Sequence, residues 1–174
     1  MYIQTDRLIL RPILKRDKYD YFEIYQHQET CRYLLHDAWT LNDLNQNFDK
    51  RLPYQSLSKN KHIEISCVLK NKVIGHIVVW YTDMKETVEL GYVFHHAYLH
   101  QGYATEALRA IIQYLFHTMK VHRIYTNMDA RNISSLRLCQ RVDMRIEAHF
   151  IQDYWNKGEW TDSYICGMLA SDLK

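Results

Sequence analysis

The chain has 174 residues, with 22 lysines and arginines against 20 aspartates and glutamates, so its net charge is only +2. At about 150 residues per domain, this length predicts a single domain over residues 1–174. Hydrophobic residues make up 47% and charged residues 24%, which excludes collagen, coiled coils and intrinsic disorder. The basic residues form no run, so charge gives no reason to expect nucleic acid or an anionic membrane as a partner.

The glycines and cysteines exclude further classes of protein. Nucleotide folds built on glycine clusters are excluded because the five glycines are scattered, at Gly75, Gly91, Gly102, Gly158 and Gly167. The four cysteines form no Cys-x-x-Cys pair, which favours reduced thiols over a zinc ribbon or disulfides. The longest apolar run is interrupted by His76, and the N-terminus lacks the apolar stretch of a signal peptide, so we expect a cytoplasmic protein.

The ten histidines raise the question of a metal site. His95 and His96 adjoin at a predicted strand end, where neighbouring side chains are expected to face apart. His117 and His122 are five residues apart, the wrong spacing for two ligands on one helical face. We therefore expect no metal site.

The first third of the chain predicts a strand and two helices. Leu8–Arg11 reads as a short strand that Pro12 ends. A helix is predicted over Asp17–Gln26. Thr40 is a plausible N-cap of a second helix, which Pro53 ends. Four apolar residues lie on one face of that helix: Leu41, Leu44, Phe48 and Leu52.

The middle of the chain predicts a hairpin and a further strand. Ile63–Leu69 alternates in polarity, and Val73–Tyr81 follows after a polar turn. In the strand Val88–Phe94, even-numbered side chains lie on one side and odd-numbered ones on the other. Glu89 and Phe94 therefore face opposite ways unless the strand bulges.

The second half begins where the apolar period changes from two to 3.6, at Gly102, which predicts a long helix. A strand over Arg123–Met128 and a helix opened by Asn132 follow. Two strands, Ile146–Ile151 and Trp160–Leu169, are predicted to form a closing hairpin. The sum is a mixed α/β sheet with helices on its faces.

The loop between Phe94 and Gly102 is a candidate anion site, because a strand, a tight loop and a helix N-terminus direct unpaired N–H groups to one point. A well-capped helix without a ligand is an equally good reading of this loop alone. The segment resembles the acyl-CoA pyrophosphate loop of the GNAT N-acetyltransferase family, especially its branch of ribosomal-protein N-terminal alanine acetyltransferases. The residues are Tyr98-Leu99-His100-Gln101-Gly102-Tyr103-Ala104-Thr105-Glu106-Ala107-Leu108. Three further segments resemble the family in the same order: Thr5–Pro12, Glu89–Tyr92 and Asn132–Ser135.

The resemblance implies a mixed, mostly antiparallel sheet of six or seven strands, flanked by helices and splayed between its fourth and fifth strands, here Val88–Phe94 and Arg123–Met128. Acetyl-CoA would be the co-substrate, its pantetheine arm pairing with backbone near Phe94. Asn132 matches an asparagine that contacts the cofactor arm or holds the neighbouring loop. The pyrophosphate would bind the amides of Gln101, Gly102, Tyr103, Ala104 and Thr105. Leu99 and His100 begin this loop and are also candidate cofactor-binding residues, although they depart from the family pattern, which has an earlier glycine there.

Acetyl transfer to an amine requires a base, an oxyanion site and a proton donor for the thiolate. Glu89 is the candidate base, with a solvated strand glutamate as the alternative. A backbone N–H near Phe94, beside a bulge at Gly91, would bind the oxyanion. The thiolate could be protonated by Ser135, as in the alanine acetyltransferase branch, or by Cys139 at the position where many members have tyrosine. A serine that satisfies backbone and a buried inert thiol are the respective alternatives.

The resemblance predicts an N-acetyltransferase whose acceptor is a primary amine, either a protein N-terminus or a small molecule such as an antibiotic or a polyamine. No acidic cluster marks a polyamine pocket. A non-catalytic acyl-CoA-binding module is the third possibility, and monomer and homodimer both remain open. Aromatic residues could shape an acceptor groove: Tyr21, Tyr33, Trp39, Tyr154, Trp155 and Trp160.

Overall fold

A computed structural model describes residues 1–59 and 61–173. Over these residues nine strands form one sheet in the order β1-β2-β4-β5-β6-β7-β9-β8, with β3 paired to β4. The strands are β1 (Ile3–Gln4), β2 (Ile9–Pro12), β3 (Gln55–Ser58), β4 (Lys61–Leu69), β5 (Lys72–Tyr81), β6 (Thr87–Phe94), β7 (Arg123–Asp129), β8 (Arg145–Asn156) and β9 (Glu159–Leu169). The α/β class is confirmed. The count exceeds six or seven because β1 and β3 have two and four residues, too few to show a period.

The sheet opens between β6 and β7. Every pairing among the described residues is antiparallel except this one, which is parallel and holds at three positions, the last being Glu89 opposite Tyr125. Beyond Glu89 the two strands diverge, while β6 stays paired to β5 as far as Phe94. The implied splay between these strands is confirmed.

In the described part of the chain, five helices flank the sheet: α1 (Lys18–Tyr25), α2 (Gln28–Cys31), α3 (Leu44–Asp49), α4 (Tyr103–His117) and α5 (Ile133–Arg141). The predictions for α1, α4 and α5 are confirmed, with Asn132 capping α5 through its side chain. Thr40 as an N-cap is wrong. Its amide and hydroxyl both donate to the carboxylate of Asp43, and α3 begins only after Asp43, which leaves Leu41 69% exposed.

The helices divide between the two faces of the sheet. On what we call the α4 face, α4 and α5 pack on apolar side chains that include Val88, Leu90 and Phe94 of β6. On the α1 face, α1, α2 and α3 cover a second core that includes Val93. Even and odd residues of β6 therefore meet different cores, as the predicted alternation requires.

The last hairpin is longer than predicted, because β8 continues to Asn156 across two register shifts instead of ending near Ile151. Lys157 and Gly158 form its turn, both at positive φ. The Lys157 ammonium donates to the carbonyl of Cys31, which holds the turn against α2. No helix among residues 1–59 and 61–173 is long and apolar enough to span a membrane.

Candidate active site

The loop before α4 presents backbone amides to one point. A short 3₁₀ turn, His96–Tyr98, leads to Gly102, the N-cap of α4. Gly102 has a φ of 83° and caps no amide, since it has no side chain. The amides of the first helical turn lack intrahelical acceptors, so those of Tyr103, Ala104 and Thr105 remain available to an anion.

The loop departs from the family pattern at a strained position. His100 has a φ of 60°, in the left-handed region that favours glycine. It therefore adopts, at some cost, the conformation that the family's earlier glycine would adopt freely. Leu99 and His100 are both exposed.

An arginine that the sequence analysis did not single out lies against this loop. The Arg7 guanidinium donates to the carbonyl of Gln101 at 2.9 Å and stacks over the Tyr103 ring, 4.4 Å from its centroid. It lies so close to Gly102 that a Cβ there would be 3.2 Å from its nitrogen. Arg7 therefore places a positive charge beside the free amides at the start of α4.

Glu106 fixes Arg7 in this place. Its carboxylate accepts hydrogen bonds from the Arg7 amide at 2.8 Å, from Arg7 Nε at 2.6 Å and from the Thr5 hydroxyl at 2.5 Å. Burial would raise the pKa of Glu106, but these donors outweigh it and the pKa is lowered. The partners are about a hundred residues apart in sequence, so local patterns could not reveal the pair.

Along the splay, β6 offers amides that no strand pairs. The His95 amide donates to Ile74 on β5 at 2.8 Å, and successive residues of a strand point their amides to opposite sides. The amides of Tyr92 and Phe94 therefore face the side of β7, beyond the last paired position. These groups are candidate partners for the pantetheine arm and the thioester oxygen.

The bulge expected at Gly91 is wrong, because β5 and β6 stay in register from Gly75 opposite Phe94 to Tyr81 opposite Val88. The amides are left free by the divergence of β7, which requires no bulge. A different glycine shapes this end of β6. The Phe94 ring covers Gly75, where a Cβ would meet the ring at 2.3 Å.

Glu89 occupies the last position at which β6 pairs with β7, and it faces the α1 side. Its cross-strand neighbours are Trp80 and Tyr125. Burial raises the pKa of Glu89, and the Tyr125 hydroxyl partly offsets the rise. A half-buried carboxylate of raised pKa at the mouth of the splay is suited to accept a proton.

On the α4 face, Tyr92 joins the two candidate proton donors. Its hydroxyl lies 2.6 Å from Ser135 Oγ and 3.2 Å from Cys139 Sγ. The Ser135 amide donates to Asn132 at 3.1 Å, so Asn132 orients the first turn of α5. Burial raises the pKa of Tyr92 well above its usual value, which keeps the phenol protonated. The sequence gives Tyr92 no role of its own beyond the Glu89–Tyr92 motif, although its even position in β6 places it on the α5 side.

Cys139 is fully buried in this group. A hydrogen bond with Cys166 and burial both raise the pKa of the Cys139 thiol. The thiol is therefore neutral and has no direct contact with solvent, in keeping with the buried alternative raised from the sequence.

A cavity of about 500 Å³ opens on the α1 face. Its lining includes His36, Trp39, Arg51, Tyr54, His62 and Glu64. It also includes Val78, the cross-strand neighbour of Gly91, so the cavity shares a face with Glu89. Trp39 lines this cavity. Tyr21 is fully buried, with its hydroxyl 3.1 Å from Ser66 Oγ, so its assignment to an acceptor groove is wrong.

Three carboxylates line this cavity, Asp37, Asp43 and Glu64, and the buried one, Glu64, is already paired. Glu64 contacts Arg51 at 2.8 Å and His76 Nδ1 at 2.7 Å. The His76 Nε2 lies 2.5 Å from the Tyr25 hydroxyl. Burial would raise the pKa of Glu64, but His76 and Arg51 outweigh it and the pKa is lowered.

The expectation that His95 and His96 face apart is wrong. The strand ends at Phe94, and His95 is the N-cap of the 3₁₀ turn, so the alternation of a strand no longer applies. The two rings stack with centroids 4.6 Å apart, and His27 packs edge-on against His96.

An open splay with free strand amides, an anion-binding helix N-terminus and a half-buried carboxylate together define an acyl-CoA-dependent transferase. The protein-family model described as acetyltransferase (GNAT) domain matches residues 7–145 of this chain, and the chain belongs to this family. It is an N-acetyltransferase that uses acetyl-CoA as its co-substrate.

Relatives extend over nearly the whole chain. The uncharacterized N-acetyltransferase YnaD of Bacillus subtilis is 30% identical, covering 99% of each chain. The structure of a GNAT-family acetyltransferase from Bacillus anthracis is similar with a TM-score of 0.87 and 28% identity, covering 98% of this chain and 99% of the other. Spermidine N-acetyltransferase from Vibrio cholerae, solved with CoA and spermine, shares the fold with a TM-score of 0.79 at 16% identity, covering 97% and 98%.

Proposed function

We propose that the protein, as one domain over residues 1–174, acetylates the N-terminal amine of a protein or peptide, in the manner of the ribosomal-protein alanine acetyltransferase branch. The observation that carries this proposal is the paired state of Glu64 in the cavity that shares a face with Glu89. A polyamine site needs carboxylates that are free to bind several ammonium groups. Here Arg51 and His76 already engage Glu64. Of the other two carboxylates that line the cavity, Asp37 lies 3.5 Å from the Lys157 ammonium, and Asp43 accepts hydrogen bonds from Thr40 and Asn47.

The acid–base chemistry agrees with an α-amine as acceptor. An α-amino group has a pKa near 8 and a lysine or alkyl amine one near 10.4, so roughly 300 times more of the α-amine is neutral at pH 7. Glu89 then needs to remove only the proton that is released as the nitrogen attacks the thioester, directly or through a water molecule.

The strand amides and α5 serve the other steps. The Phe94 amide would donate to the thioester oxygen as negative charge develops on it. Ser135, supported by Tyr92 at 2.6 Å, would donate the proton to the departing sulfur. We assign this role to Ser135 and not to Cys139, because Cys139 is fully buried behind the Tyr92 hydroxyl. Cys139 would instead help to orient that hydroxyl.

Acetyl-CoA would be held by the loop and the splay. The amides from Gln101 to Thr105 and the Arg7 guanidinium would bind the pyrophosphate, and the splay-facing amides of Tyr92 and Phe94 would pair with the pantetheine arm. Asn132 would act by holding the α5 turn that carries Ser135.

A CoA-release assay over matched acceptors tests the proposal. The panel holds peptides with a free N-terminus, the same peptides blocked at the N-terminus with an internal lysine, and spermidine. We expect turnover on the free N-terminal peptides and little on the other two classes. Turnover restricted to spermidine or other small amines would reject the peptide acceptor while leaving the acetyltransferase assignment intact.

The thiolate donor has its own test. Ser135→Ala should lower the rate on the same peptide by about 10- to 1000-fold if the hydroxyl protonates the sulfur, and Cys139→Ser should retain most of it. An unchanged rate in Ser135→Ala would remove Ser135 from the mechanism.

A further inference from the structure

Three histidines from distant parts of the sequence meet where β6 runs into the cofactor loop. His27 precedes α2, His95 follows β6, and His96 begins the 3₁₀ turn that leads to the loop. One ligand atom from each lies within 4.8 Å of the other two. The ring centroids of His27 and His96 are 4.1 Å apart, and those of His95 and His96 are 4.6 Å apart.

We propose that His27, His95 and His96 bind a divalent transition-metal ion of the zinc type. Imidazole nitrogen is a preferred ligand of Zn²⁺, Cu²⁺ and Ni²⁺, and three histidines with a fourth, open position form a common zinc arrangement. Ligand nitrogens around a tetrahedral zinc lie about 3.4 Å apart, as Zn–N distances of about 2.0–2.1 Å require. A movement of about 1.5 Å closes the observed spacing, and the exposed His96 side chain is free to make it.

The surroundings suit a cation. A metal ion binds the lone pair of a neutral imidazole, and each of the three side chains supplies one such nitrogen. Two charged groups act on His95, the carboxylate of Glu23 and the ammonium of Lys72, and these two pair with each other. They nearly cancel, which leaves the cluster without a net charge that would repel a cation.

One existing hydrogen bond must be exchanged. His95 Nδ1 accepts the Ala97 amide at 3.1 Å, so a neutral ring carries its proton on Nε2. Binding a metal through either nitrogen ends this bond, because the ring must then present its lone pair to the ion or move its proton to Nδ1. Loss of this hydrogen bond would free the Ala97 amide at the start of the 3₁₀ turn, while the metal would fix the side chains of His95 and His96.

A metal at this point would connect the helices of the α1 face to the segment that leads into α4. His27 lies between α1 and α2 on the acceptor side, and His96 lies on the segment that leads to the pyrophosphate amides. The ion would therefore tie the acceptor-side helices to the cofactor loop. The proposed acetyl transfer involves no metal ion. Binding of the ion can therefore be measured without any acceptor.

Isothermal titration of tag-free, chelator-treated protein with ZnCl₂ tests the site. We expect saturable binding of one ion per chain and a rise in the thermal midpoint. His96→Ala and His27→Ala should each weaken binding at least tenfold and abolish most of the thermal shift. His117→Ala, an exposed histidine on α4, is the matched control and should leave both unchanged. Both test variants change exposed or half-buried side chains, so folding should be retained.

Co²⁺ gives an independent reading of the ligands. In the wild type it should produce the intense visible absorption of a four-coordinate ion, and this absorption should be lost in His96→Ala and His27→Ala. Absence of saturable Zn²⁺ binding, or equal affinity in the wild type and both variants, would overturn the site. Neither result depends on whether the enzyme acetylates peptides.

Discussion

The two faces of the sheet differ in whether backbone or side chains supply their polar groups. On the α4 side, the loop proposed to bind the cofactor offers backbone amides, braced by the Arg7–Glu106 pair. On the α1 side, side chains carry the polar groups, and Asp17, Glu64 and His76 are buried between the sheet and the first helices. Recognition through backbone tolerates changes of side chain, which explains how Leu99 and His100 can stand where the family has other residues. Recognition through buried side chains does not.

The largest effect should come from the carboxylate at the splay. Glu89→Gln removes the proposed base and should lower kcat/KM by about 100- to 10,000-fold. The wild-type rate should fall as pH falls through the raised pKa of Glu89, and the variant should lose this dependence. The matched control is Glu86→Gln, an exposed glutamate just before β6, which should behave as wild type. A variant that keeps both rate and profile would remove Glu89 from the mechanism.

The buried network on the α1 face should be the most sensitive element for stability. Glu64→Gln leaves Arg51 and His76 without their carboxylate, and breaking a buried pair in this way costs about 3–5 kcal/mol. Chemical denaturation measures the loss. Glu29→Gln, which changes an exposed carboxylate 3.9 Å from Arg32, should cost almost nothing. Equal stability of the two variants would show that the network is not structurally important.

Gly75 and Gly91 differ in how much space each leaves for a side chain. Gly75→Ala would drive a methyl into the Phe94 ring, 2.3 Å away, and should destabilise the fold by about 1–3 kcal/mol while displacing Phe94 from the splay. At Gly91 the nearest atom to a new Cβ, on Trp80, is 3.8 Å away, so Gly91→Ala should be close to neutral in stability. Thermal unfolding compares the two. A larger loss of stability in Gly91→Ala than in Gly75→Ala would show that position 91 requires glycine, contrary to the regular register there.

The loop brace should show a smaller, pH-dependent effect. Glu106→Gln loses the charge that accepts from Arg7 and should cost about 1 kcal/mol, because Arg7 is partly exposed. The folded-state pKa of Glu106 is lowered, so its contribution is fully present above the unfolded value near 4.3 and is lost as pH falls through the folded value. The stability difference between wild type and variant should therefore shrink below about pH 4. A difference that stays constant with pH would contradict the ion pair.

Periodicity sufficed for the strands and helices that are long enough to show it. Val88–Phe94 and the helix after Gly102 were predicted from alternation and from the change to a 3.6-residue period. The two-residue β1, the four-residue β3 and the one-turn α2 carry no period, so they could not be found this way.

The candidate site could be proposed from the sequence where its residues adjoin along the chain, and not where the fold brings them together. The loop amides and Glu89 came from local motifs. Arg7, Tyr92 as the partner of Ser135, and the meeting of His27 with His96 depend on contacts across the sheet. The Gly91 bulge was wrong because a single glycine does not reveal whether an amide is freed by a bulge or by the divergence of the next strand.

The dissociation constant of CoA, measured by calorimetry on two variants, tests the division between the faces most directly. Arg7→Ala removes a charge at the pyrophosphate amides and should weaken CoA binding about tenfold, which corresponds to about 1.4 kcal/mol. Glu89→Gln lies on the acceptor side and should leave CoA affinity unchanged. Unaltered binding in Arg7→Ala together with weakened binding in Glu89→Gln would contradict the account.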